Sequence, residues 1–532
     1  MQSSPTDDLP VVELQDSSAS GAIPFHVKKD LLQGTSALGI GVVVERACSF
    51  LANILAARLG GAANFGLYAL SISTANNVSA YAAGGIGSTA IRFSGEHPLG
   101  SDGYPTLARV LAIISLLSAT LAATVLWFGA LPVARLLGKE SFTGVLRWAA
   151  FSAAGIILLE CCRGFLVGQR RIKALLLLSG TVGFGYLALL PAMSRYGAIS
   201  MVRSQSAVTI GAVLLIVLFY RALGLGSPKS ASDSKLMGPL LRKVWSFGAV
   251  QLVSLLGVNA AGWWLTTLVA RSDTTMVQMG FFAVAHQLRN MVALGPSLLT
   301  EGSLAVMATS ESKLDKTPDN VMAMCAYIST LVSLAMAGVG MILAPWGLSH
   351  VYGRNYAAAA VATVLALATA VVHMGSAPMS ARLSIISIKA FGGINTAWAL
   401  TVAALSTILL LHGGNAAKGA LVYLVGHLLL ATLQISSLNK SGSMPKGSIV
   451  SFVTGVSASL ILAVLAWTRD THAELAGWFT LLMGVVLTIA VAIMIGLGRR
   501  RNWLPGWPAI KAIMAKGMSF IRQRPATAIS RS

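Results

Sequence analysis

The stretch that decides the fold is ILAARLGGAANFGLYALSIS, residues 54–73. Two apolar runs meet there at a short polar link holding Arg58, Gly60, Gly61 and Gly66. An apolar run of about 20 residues crosses the hydrocarbon core of a bilayer as a helix, and such runs recur along the whole chain. Of 532 residues, 55% are hydrophobic and 11% are charged, against about 25% charged in soluble domains. Mean hydropathy is +0.73. Lipid offers the backbone no hydrogen-bond partner, so spanning segments must satisfy their own groups. The strands of a membrane barrel would alternate apolar and polar residues, and these runs do not. The sequence therefore predicts an all-α polytopic membrane protein.

Hydropathy gives about fourteen spans, an even number that places both termini on one side. Lysine and arginine choose that side. Lys28, Lys29, Arg163, Arg170, Arg171, Lys173, the 221–243 segment, Lys313, Lys316, Lys440, Lys446 and the tail from Arg499 fall on the N-terminal side. The opposite links carry mostly single charges such as Arg58, Arg195, Arg271, Arg354 and Arg469. Positive charge is retained in the cytoplasm, so both ends are expected there. The formal charge of +21 is read in the same way, as topology and contact with anionic lipid. Without a compact basic domain, nucleic acid is excluded as a partner.

The opening stretch has a degenerate copy. ARLGGAANFGLYALSIS answers to ARSDTTMVQMGFFAVAH at 270–286, each an arginine, a polar link, a glycine and an aromatic-rich helix start. VGQRRIKALLLLSG at 167–180 is echoed by SIISIKAFGGINTA at 384–397, with Lys173 and Lys389 each between Ile and Ala. The organisation expected is a disordered cytoplasmic N-terminus (1–30), an N-lobe of six spans (31–221) and a cytoplasmic linker (222–241). A C-lobe of six spans (242–439), two additional spans (440–498) and a basic amphipathic tail (499–532) follow. Trp503 is read as an interfacial tryptophan. Paired six-helix halves are a transporter arrangement, with the substrate path between them.

Ionisable residues inside spans are functional hypotheses by default. Glu45 and Arg46 lie in the first span, Gln251 and Asn259 in the seventh, and His286, Arg289 and Glu301 in the eighth. Arg46 stands twelve residues before Arg58, and Asn259 twelve before Arg271, so the halves present polar groups at matching depth. A guanidinium at mid-depth needs an anionic partner, and its fixed fork suits phosphate. Arg46, Arg289, His286, Asn259 and Gln251 are therefore read as a cationic, substrate-binding lumen. Glu45, Glu160 and Glu301 are candidate ion-coupling groups. Glu45 has a structural alternative as the partner of Arg46 or Arg289, and Glu160 and Arg163 as snorkelling charges near a cytoplasmic helix end. His373 and His427 are read as packed polar residues. Cys48, Cys161, Cys162 and Cys325 show neither metal-ligand spacing nor a disulfide framework. No phosphate loop or nucleophile elbow occurs, so no enzyme activity, cofactor or metal is expected.

Arg58, Gly60, Phe65, Gly66 and Tyr68, with Gly85, Gly87, Ala90 and Arg92 further on, match the first link and second helix of a known group. On these residues, with Arg271 and Gly280 in the second copy, the chain resembles the polysaccharide transporters of the MOP flippase superfamily. The resemblance implies two six-helix lobes around a cationic cavity, plus two C-terminal helices. It implies transfer of an undecaprenyl-diphosphate-linked oligosaccharide, an exopolysaccharide or O-antigen precursor, across the bacterial inner membrane by alternating access. A polysaccharide polymerase or export complex would be the protein partner. Arg46 matches a first-span arginine of the related lipid II flippases, whose second Arg-Asp pair is replaced here by Ala52 and Asn53. The alternatives are a multidrug/cation antiporter of the same superfamily and a membrane-embedded glycan polymerase.

Overall fold

The computed structural model describes residues 25–220, 234–310 and 317–503; within them, side chains at 25–40, 234–236, 249–255, 305, 308–310 and 446 are not described. The N-terminal tail, most of the linker, the amphipathic tail beyond 503 and the Gln251 side chain fall outside the described residues. Every regular element among the described residues is helical. The N-terminal half holds α1 (Phe25–Ala83), α2 (Ile86–Glu96), α3 (Tyr104–Leu136), α4 (Thr143–Gly168), α5 (Ile172–Ser194) and α6 (Ala198–Leu218). The C-terminal half holds α7 (Ser234–Ser272), α8 (Val277–Ser310), α9 (Thr317–Gly347), α10 (Ala360–Ile386), α11 (Ile388–Leu410) and α12 (Ala416–Lys440). Last come α13 (Lys446–Thr471) and α14 (Ala476–Arg500).

α1 is two arms joined at one residue. Gly61 adopts φ 76° and ψ 165°, outside the helical region, where a residue with a Cβ would be strained. Glu45 on the first arm and Gly87, beyond the second, touch the same turn of α4 at Glu160 to Gly164. The arms therefore run antiparallel, as a hairpin turned within the opening stretch. The second span is itself broken at Gly84 and Gly85, both at positive φ, before α2 continues it.

Ten helices, α3 to α6 and α9 to α14, are long and apolar enough to cross a bilayer. The two arms of α1 with α7 and α8 bring the crossing segments to fourteen, as hydropathy predicts. The first arm of α1, α7 and α8 carry Glu45, Arg46, Gln251, Asn259, His286, Arg289 and Glu301, while Glu160 and Arg163 lie on α4, His373 on α10 and His427 on α12. The duplication is visible in the helix starts: Ile172–Lys173 opens α5 and Ile388–Lys389 opens α11. α7 begins at Ser234, earlier than the expected span, so the linker is shorter than its sequence composition suggested.

Lipid tails are as apolar as leucine, so helices associate through close packing and interhelical hydrogen bonds rather than burial from water. Gly164 of α4 fits against the Gly87 carbonyl of α2, and Gly155 against Thr209 of α6. α13 and α14 lie on the outside of α9: the Tyr327 hydroxyl donates to the Met494 carbonyl at 2.9 Å. Trp503 packs there too, 9% exposed and 5.4 Å from the Tyr327 ring. It closes the end of α14 against the lobe and is no interfacial anchor.

Candidate functional site

Charged groups gather in three places. In the N-lobe, Glu45 of α1 is 7% exposed. Its Oε1 accepts from Arg163 Nη2 on α4 at 2.6 Å, and Arg163 Nη1 donates to Glu160 Oε1 at 2.8 Å. Two carboxylates thus share one guanidinium. The partner of Glu45 is neither Arg46 nor Arg289. The first arm of α1 packs beside α4, and Arg46, one residue on, points about 100° further round the helix.

Arg46 is exposed, and so is Glu301 of α8 in the opposite half. No ion pair joins the two among the described residues. Arg46 lies about 18 Å from the Arg58 end of its arm by helix rise. Asn259 of α7 is half-buried.

The third cluster lies inside the C-lobe. Arg289 on α8 is 8% exposed, and its Nη2 lies 3.0 Å from His373 Nδ1 on α10. Its guanidinium sits 5.3 Å from the centre of the Tyr423 ring on α12, a cation–π arrangement. His286 lies one turn back on α8, 3.5 Å from Arg289 Nη1. The His373 and His427 rings are 4.7 Å apart, and Trp398 of α11 is edge-on to His427 at 5.5 Å. His373, His427, Trp398 and Tyr423 were not singled out as site residues from sequence. Only the Arg289–His286 spacing is local, while His373 is 84 positions from Arg289.

The lobes meet tightly at the link end. Gly66 on the second arm of α1 lies against the backbone of Met276 and Gly280, and Gly280 against the Ala62 carbonyl. A methyl group at either glycine would collide with the other lobe's main chain. These are equivalent positions in the two sequence copies, so a pseudo-twofold axis runs between them. Contacts on either side obey it. Gln287 of α8 donates to the Phe50 carbonyl at 3.0 Å, and Trp263 of α7 donates to Thr74 Oγ1 at 3.1 Å. The Arg58 guanidinium caps the His350 carbonyl at 3.0 Å, and the Tyr356 hydroxyl donates to the Ala57 carbonyl at 3.2 Å. The Lys139 ammonium donates to the Asp273 carbonyl, and burial holds it below its ordinary value. Phe65 and Tyr68 are buried in the N-lobe, where the Tyr68 hydroxyl donates to Gln205 at 2.5 Å. Arg271 is exposed at the end of α7.

Three solved structures share this architecture. The lipid II flippase MurJ in an inward closed conformation superposes with a TM-score of 0.57 at 15% identity, covering 87% of this chain and 98% of its own. An inward-facing multidrug resistance MATE family transporter of the MOP superfamily gives 0.55 at 14% identity, covering 78% and 95%. A MOP superfamily transporter from Pyrococcus furiosus, described as having a binding pocket of reverse polarity, gives 0.53 at 15%, covering 82% and 96%. Identities this low establish a common fold. No curated protein matches by sequence. A family model described as polysaccharide biosynthesis protein matches residues 31–300, from the first arm of α1 through most of α8. With that match over half its length and a two-lobed membrane fold around it, the chain belongs to the polysaccharide biosynthesis protein family.

Proposed function

We propose that this protein moves an undecaprenyl-diphosphate-linked oligosaccharide across the bacterial inner membrane by alternating access of its two lobes. The reading rests on Arg46: an exposed guanidinium on the first arm of α1, twelve residues before the link, in a chain of a polysaccharide biosynthesis family. A diphosphate is the part of such a cargo that lipid excludes most strongly, and a guanidinium fork binds it bidentately. Arg289 adds positive field from within the C-lobe, and His286, Asn259 and Gln251 supply neutral polar groups. Glu45 and Glu160, tied to Arg163, are the acidic groups through which ion coupling would run. Glu301, exposed on α8, is a further acidic group for ion coupling. Both termini face the cytoplasm, where the cargo is assembled, and a polymerase would take it up on the far side.

The test is transfer of a polyprenyl-diphosphate oligosaccharide in proteoliposomes, read by exposure of the sugar to an impermeant lectin. We expect protein-dependent exposure that falls at least tenfold in Arg46→Ala, with insertion unchanged. Exposure equal in the variant and the native protein would overturn the role of Arg46. Uptake of organic cations against a proton gradient, without sugar exposure, would establish the antiporter instead.

A further inference from the structure

We infer that the C-lobe contains a site for one small anion, enclosed by Arg289, His373, Trp398 and His427. A guanidinium in a membrane bundle ordinarily finds a carboxylate. None of the ion pairs among the described residues includes Arg289. Its neighbours are two imidazoles and a phenol ring, which carry no formal negative charge, and the Trp398 indole joins the cluster through His427.

The donors left over are specific. Arg289 Nε has no protein partner, and neither has the indole Nε1 of Trp398, which is 5% exposed. Arg289 Nη2 donates to His373 Nδ1, so the proton of that neutral imidazole resides on Nε2, a third donor. His427, 4% exposed, donates its Nδ1–H to the Tyr423 carbonyl at 2.8 Å, so it serves as a wall of the site and not as a further donor. Gly426, the residue before it, lies against the Trp398 Nε1, so no side chain from that turn of α12 fills the space beside the indole N–H. His286, His373 and Tyr423 each keep part of their surface free of protein contact, so the cluster borders open space. Unpartnered N–H donors around an uncompensated cation select an anion and reject a metal ion. Halide and phosphate oxygen satisfy the same donors. The first would be an inorganic ion and the second an acidic group of the cargo. The site lies within one lobe and does not depend on the cargo assignment.

The full-length protein in detergent is titrated with chloride replacing gluconate at constant ionic strength, then with inorganic phosphate, and thermal unfolding is recorded. An anion bound only by the folded state raises the midpoint saturably. We expect a saturable rise that disappears in Arg289→Gln. In Trp398→Phe, which removes one N–H and keeps the ring volume, half-saturation should move up about tenfold. Arg92→Gln, which removes an exposed guanidinium paired with Glu96 outside this cluster, should respond like the native protein, which separates this site from general loss of surface charge. Saturation by chloride alone assigns an inorganic ion, and saturation by phosphate alone assigns the acidic group of the cargo. No saturable response to either anion, or one unchanged in both Arg289→Gln and Trp398→Phe, overturns the site.

Discussion

Glu45 and Arg163 are joined where neither can be hydrated freely. Removing one partner of such a pair leaves an uncompensated charge, which costs about 3–5 kcal/mol when burial is complete. Glu160 still holds Arg163, so we expect Glu45→Gln to lower stability by about 3 kcal/mol and the double variant Glu45→Gln/Arg163→Gln to recover part of it. A thermal-unfolding double-mutant cycle measures this, and strictly additive losses would show that the pair is not coupled. Lys139 offers a second test. Burial depresses its folded-state pKa below the ordinary 10.5, so the unfolded chain binds more protons between the two values. Stability contributed by this residue therefore rises as pH climbs through that window. Lys139→Met should flatten the rise on the alkaline side as pH approaches 10.5, read as a smaller slope of the unfolding midpoint against pH. At this scale the sequence displayed Glu45, Glu160 and Arg163, because charges interrupt apolar runs, while Arg382, buried in α10 beside Asp319, passed unnoticed. Their partners were hidden, since Glu45 finds Arg163 118 positions away.

The second arm of α1 and α8 cross at Gly66 and Gly280, where backbone replaces side chain at the lobe contact. Both glycines lie in the duplicated link, where the sequence places each before an aromatic-rich helix start. The reversal itself falls to Gly61 alone. Gly66→Val places two methyl groups against the Met276 carbonyl, so the outer seam should open. We expect an Ala62→Cys reporter to react at least tenfold faster with an impermeant maleimide in the Gly66→Val background, and likewise with Gly280→Val. Equal rates in all backgrounds would show that the crossing does not hold the seam. Helix starts were legible to within a few residues for most spans, because each follows a polar or glycine break. The interruption at Gly84 and Gly85 was missed as a break. Hydropathy is continuous across it, and only backbone dihedral angles reveal the change of direction.

On the scale of the whole molecule, the two lobes are tied at one end by Arg58, Tyr356 and Lys139, while Arg46 and Glu301 stand exposed. Alternating access requires that tied end to part. A flexible bis-maleimide joining Arg58→Cys to His350→Cys should abolish sugar exposure in proteoliposomes, and the uncrosslinked double variant should retain it. Transport persisting at full crosslinking would exclude opening along this seam. The sequence alone determined the helical class, the fourteen crossings and the duplication, because each is written in local hydropathy or in short repeated strings. It also marked residues too polar for lipid. Only the tertiary structure decided that these polar residues divide among an N-lobe carboxylate–arginine cluster, the exposed Arg46 and Glu301, and a basic cluster around Arg289 inside the C-lobe. The physical reason is range. A spanning helix is specified by about 20 consecutive residues, whereas a charge in lipid is stabilised by whatever side chain the packing of distant helices brings within about 3 Å.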